Sequence, residues 1–141
     1  MSLSPEANMR SVVVVEDDAV PREVVRLALT GAGYEVHALE DGSQTVGLAE
    51  THDALVVVTD VFMPGCDGIE VLRDMRRRLP HAKVIAISGG SPAIGMDALA
   101  TAKMLGADAT LKKPFKPAEI VLLVNTLYAE AEAARRSDAA A

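Results

Sequence analysis

The chain has 141 residues, enough for one domain, with 50% apolar residues, 3% aromatics and a net charge of −6. That acidic balance argues against direct nucleic-acid binding, which calls for a basic face, and the single cysteine, Cys66, excludes a disulfide framework within the chain. Apolar stretches run to about four to six residues, far short of the roughly 18 that span a bilayer, and the start lacks a basic-then-apolar signal segment, so the expectation is a cytoplasmic protein with no membrane partner.

In chain order, residues 1–9 read as a disordered leader or as residues left from recombinant expression, residues 10–128 as the folded domain, and the Ala-rich, charged residues 129–141 as a helix extension or a disordered tail. The folded part holds five apolar, largely β-branched runs: Ser11–Val15, Tyr34–Ala38, Ala54–Thr59, Lys83–Ser88 and Ala109–Leu111. In the first, third and fourth, Val12 to Val15, Leu55 to Val58 and Val84 to Ile87 show no polar alternation, the mark of strands covered on both faces of a parallel sheet. With few aromatics, the core is expected to be aliphatic.

Helical patterns fill the intervals. Val24, Leu27 and Ala28 have i, i+3, i+4 spacing, Pro21 suits a first helical turn, and Gly31 or Gly33 suits the stop. Val46 and Ala49 fall in a short second helix; Ile69, Leu72 and Met75 in a third, ending before Pro80; Ala98, Leu99, Ala102 and Leu105 in a fourth, stopped at Gly106. Ile120, Leu123, Val124 and Leu127 give the cleanest stripe, and Val121, Leu122 and Val124 suggest more core or a partner face. Strand and helix thus alternate about five times, which predicts an α/β fold: a doubly wound parallel sheet of five strands with helices on both faces. Ligands of such sheets bind beyond the carboxyl ends of the strands.

Those ends carry the chemistry. Glu16, Asp17 and Asp18 follow the first strand, Asp60 the third, Ser88, Gly89 and Gly90 the fourth, and Lys112, Lys113 and Pro114 the fifth. Two carboxylates about 4 Å apart repel by roughly 4 kcal/mol at an effective dielectric near 20, so three in one pocket call for a cation. All-oxygen ligands favour Mg²⁺, Ca²⁺ or Mn²⁺. Mg²⁺ takes one or two carboxylates and keeps waters, which suits Asp18 and Asp60 as direct ligands, Asp17 acting through water, and the Phe62 backbone carbonyl as a further ligand. A carboxylate can attack phosphorus to give an acyl phosphate; Lys113 and the Ser88 hydroxyl would then meet the charge on the phosphoryl oxygens. No Gly-rich nucleotide loop is present, which argues against ATP as the donor. Scattered as they are, His37, His52 and His81 form no ligand spacing with Cys66, against a structural zinc site. Cys66 itself reads as a small loop residue.

Glu16-Asp17-Asp18, then Asp60-x-x-Met63-Pro64-Gly65-x-Asp67-Gly68, then Ser88, then Lys113-Pro114-Phe115, each at a strand end and in that order, resemble the receiver (response regulator, CheY-like) domains of two-component systems over residues 10 to 128. The resemblance implies a three-layer, flavodoxin-like α/β/α sandwich with strand order 2-1-3-4-5 and five helices. It implies Asp60 as phosphoacceptor, Asp17 and Asp18 as the acidic pair, Ser88 as the switch hydroxyl, Lys113 as the phosphate-contacting lysine, and a cis peptide before Pro114. It also implies Mg²⁺, a sensor histidine kinase or histidine phosphotransfer protein as donor, an unidentified downstream protein, and a homodimer face on the fourth helix, fifth strand and fifth helix. Such a domain is no enzyme beyond catalysing its own phosphorylation and dephosphorylation. One departure stands out: Thr110 occupies a switch position where many receivers carry Tyr or Phe. An unphosphorylated receiver-like interaction module is therefore the alternative. A phosphohydrolase ranks below both, because Phe62 replaces the second acid those enzymes carry two residues after the nucleophile.

Overall fold

A computed structural model describes residues 9–61, 68–89, 100, 102–103 and 106–140, the last three by backbone alone. Five strands, β1 (Ser11–Val15), β2 (Glu35–Leu39), β3 (Val56–Asp60), β4 (Lys83–Ser88) and β5 (Ala109–Lys112), form one parallel sheet in the order β2-β1-β3-β4-β5. Four helices are described: α1 (Ala19–Gly31), α2 (Thr45–His52), α3 (Gly68–Arg78) and α4 (Pro117–Ala140). The helix expected around Ala98 to Leu105 falls mostly outside the described residues; Ala100, Ala102 and Lys103 are helical. Among the described residues, no helix is long and apolar enough to cross a membrane.

The missing polar alternation has its structural counterpart. β1 and β3 are buried at every residue and β4 at all but Lys83, whereas the edge strand β2 is half-buried throughout. Alternate residues of the central strands feed two cores. Val13, Val15, Val57 and Val84 pack with Val46 and Ala49 of α2 and Val71, Leu72 and Met75 of α3. Val12, Val14, Val56, Val58 and Ile85 pack with Val25 and Leu29 of α1 and Ile120, Val124, Leu127 and Ala131 of α4. The second core is not purely aliphatic: Tyr34 and Tyr128 are buried in it, their ring centroids 5.6 Å apart. The Tyr128 hydroxyl donates to the Ser11 carbonyl at 3.1 Å, tying α4 to β1.

The stripe expected on α1 is out of phase. Val24 and Leu27 are exposed, and the buried pair is Val25 and Leu29, at i, i+4. With valine at both 24 and 25, the sequence offers two apolar faces one residue apart, and the sheet selects one of them. Of the three extra apolar residues on α4, Val124 is core, Val121 packs against the core, and Leu122 is exposed. Positive φ at Gly33 (99°), Gly106 (107°) and Asp53 (55°) marks where the chain leaves expected helices through the left-handed region.

Candidate phosphoryl-acceptor site

Each element delivers its side chain to the carboxyl end of the sheet by a backbone bond to its neighbour. The Glu16 amide donates to the Leu39 carbonyl at 3.0 Å, Val61 to Ile87 at 2.8 Å, and Lys113 to Ser88 at 2.8 Å. The Lys113–Pro114 peptide bond is cis. Glycine makes two of the approaches. A Cβ on Gly68, the first residue of α3, would lie 2.0 Å from the Asp60 carbonyl oxygen and 2.7 Å from the Val61 Cα. One on Gly89 would lie 2.9 Å from Cδ of Lys113, so the lysine stem runs over Gly89. That gives Gly89 a packing role.

The result is a buried charge cluster. Lys113 Nζ donates to Asp60 Oδ2 at 2.8 Å and also to Glu16 Oε1. Glu16 and Asp60 are buried, 6% and 7% exposed. Carboxylate oxygens of Glu16, Asp17 and Asp60 lie within 4.8 Å of one another. Burial pushes the Glu16 carboxyl above its ordinary range; its bond from Lys113 opposes this, and the neighbouring Asp60 adds to the rise. Burial works against the Lys113 ammonium, but its bonds to Asp60 and Glu16 outweigh it and hold the pKa above that of an ordinary lysine. Three carboxylates against one ammonium leave two formal negative charges in excess. An all-oxygen donor set with surplus negative charge, open at the exposed Asp17, fits a hard divalent cation.

The acid that completes the cluster is Glu16, in the place expected of Asp18. Asp18 is the N-cap of α1, where its side chain accepts from the Val20 amide at 3.3 Å. Its own amide donates to Glu16 Oε2 at 3.2 Å, helping to aim that carboxylate. Arg22, absent from the sequence expectations, donates to the Glu16 carbonyl at 3.0 Å and fixes the turn after β1. Ser88 is buried, and its hydroxyl donates to the Gly89 carbonyl at 3.3 Å. Thr110 is half-buried in β5, opposite Ala86. Phe62, Met63, Pro64, Gly65, Cys66, Asp67 and Gly90 lie outside the described residues.

A family model described as the response regulator receiver domain matches residues 12–125. The chain is 36% identical over 112 residues to the DNA-binding transcriptional regulator NtrC of Klebsiella pneumoniae, covering 79% of this chain and 23% of that protein. It is 30% identical over 128 residues to the transcriptional regulatory protein ResD of Bacillus subtilis, covering 89% and 51%. It thus spans about a quarter to a half of the length of these two relatives. Among solved structures, chemotaxis protein CheY4 of Vibrio cholerae superposes with a TM-score of 0.71 at 27% identity, covering 84% of this chain and 98% of that one.

Proposed function

This chain belongs to the response regulator receiver domain family of two-component systems, and we propose that it is a switch that accepts a phosphoryl group from a histidine kinase, or from a histidine phosphotransfer protein, onto Asp60. The observation that carries the reading is the bridge from Lys113 to both Asp60 and Glu16, a cation held against buried carboxylates at the sheet's carboxyl end. In this reading a carboxylate oxygen of Asp60 attacks phosphorus while the donor's P–N bond breaks, and the histidine leaves with the electron pair. Lys113 exchanges an Asp60 oxygen for a phosphoryl oxygen. The Ser88 hydroxyl, now on Gly89, turns to a second phosphoryl oxygen. Glu16, Asp17 and Asp60 would hold Mg²⁺, with the Phe62 carbonyl as a further ligand, while Asp18 caps α1. When bound, the ion supplies positive charge to the carboxylates and to the phosphoryl oxygens.

The chemistry ends on the protein itself, so the domain turns over no other substrate. We place it in the cytoplasm, where kinase domains of this class meet their receivers, with output through protein–protein contact. The helix expected around Ala98 to Leu105, β5 and α4 are the proposed face, and Leu122 is an exposed apolar residue of α4. Thr110 favours a second reading, an interaction module that is not phosphorylated, because threonine is too small to relay the Ser88 movement as a ring would. Intact-mass measurement after incubation with acetyl phosphate and Mg²⁺ separates the two. The switch gains one phosphoryl mass, loses the gain on chelation, and shows none as Asp60→Asn. A folded parent that gains nothing supports the interaction module.

A further inference from the structure

At the opposite end of the sheet, histidines that are scattered in the sequence are neighbours in space. Glu35 and His37 stand two residues apart on β2 and so share a face. Val36 between them packs into the α1/α4 core and Leu39 into the α2/α3 core, which puts Glu35 and His37 on the α2 side. There they meet His52, the last residue of α2. The two imidazoles stack at 3.9 Å with an interplanar angle of 22°. Glu35 Oε1 lies 2.9 Å from His37 Nε2 and 3.8 Å from His52 Nδ1. The three donor atoms fall within 4.8 Å of one another.

We propose that Glu35, His37 and His52 form a site for a transition-metal dication of the zinc class, separate from the acidic cluster around Asp60. Two imidazoles and one carboxylate are a zinc donor set, with a fourth position open to water. Four ligands at about 2.0–2.1 Å from zinc stand roughly 3.4 Å apart; a small contraction of the triad, turning the exposed His52 ring out of the stack, meets that spacing.

Three further observations favour a cation. His37 Nε2 is a buried nitrogen that, among the described residues, has no properly directed hydrogen bond despite its short distance to Glu35. Such an atom is costly to leave without a partner. His52 ends α2, where the helix dipole presents negative charge. Among the described residues, no lysine or arginine pairs with Glu35. The nearby guanidiniums of Arg10 and Arg135 are engaged by Glu132 and Asp53, and Arg136 is exposed at the rim. Beside the triad a cavity of about 580 Å³, lined in part by Glu35 and His52, gives the fourth ligand room.

The test is a zinc titration of the full chain in excess Mg²⁺, which occupies the acidic cluster, followed by the imidazole nitrogen resonances. The expected result is that His37 and His52 shift together and saturate at one zinc per chain, while His81, on the turn before β4, does not. His52→Gln should weaken binding at least about tenfold, since ligand-supporting groups alone are worth that much, with the amide spectrum of β1 and β3 unchanged. Glu35→Gln gives the same readout should His52→Gln perturb the helix end. Unmoved His37 and His52 resonances, or equal affinity in a folded variant, would overturn the site and leave a stacked histidine pair sharing a carboxylate.

Discussion

Gly68 sits where no larger residue fits, because any Cβ there meets the backbone of Asp60 and Val61 rather than a side chain that could swing away. Gly68→Ala should therefore cost roughly 1–3 kcal/mol, the scale of overpacking, and should slow phosphorylation because the displaced carbonyl belongs to the proposed acceptor. Urea unfolding and the rate of mass gain check both; an unchanged urea midpoint would mean that the head of α3 slides freely. The same scale shows what the residues announce by themselves. Asp60, Ser88 and Lys113 were legible as strand-end residues because Asp60 follows an apolar run, Ser88 ends one, and Lys113 stands two residues past one, directly before a proline. The acid pair was harder, as three acids follow β1 in a row. The deciding signal is local: the acid directly before a helix is its N-cap, which assigns Asp18 to α1 and releases Glu16 to the cluster. The packing role of Gly89 was not legible, because its neighbour, the Lys113 stem, is twenty-four positions away in sequence.

At the scale of elements, β1, β3 and β4 were legible because strands buried on both faces have no polar alternation to confuse them. The face of α1 was not, since adjacent valines satisfy two phases of the same period. The far end of α4 rests on ion pairs as well as on Ala131: Arg10 with Glu132, and Arg135 with Asp53, the left-handed residue that ends α2. The bond from Arg135 holds the Asp53 carboxyl below its ordinary value. A lowered carboxylate pKa in the folded state contributes stability that is present above the ordinary carboxylate value of the unfolded chain and is lost as pH falls through the folded one. The pair is largely exposed, so the contribution should stay below about 1 kcal/mol. Asp53→Asn tolerates the same backbone conformation and should reduce stability at pH 6 but hardly at pH 2–3. Urea midpoints at the two pH values test this, and an equal loss at both would assign the effect to the turn rather than to the charge.

At the scale of the molecule, strand order follows from alternation and handedness, and the order decides which strand ends meet. Three acids on two strands and one ammonium on a third are brought together only by folding, so a cation that binds them binds the folded state. Mg²⁺ at about ten times its Kd should add roughly 1.4 kcal/mol, a rise of about 4–6 °C in Tm for a domain of this size. The rise should be larger in Lys113→Ala, where the carboxylates lose their internal counter-charge, and smaller in Asp60→Asn. No rise at millimolar Mg²⁺ in the parent would count against the cluster as the ion's site. The edge strand β2 has a different standing. Among the described residues, what it lends to the proposed acceptor site is the Leu39 carbonyl, a group every residue possesses. Substitutions along β2 can therefore accumulate over generations with little consequence for the proposed phosphoryl transfer, and lineages that keep the same cluster of acids and lysine are free to diverge in what that edge recognises.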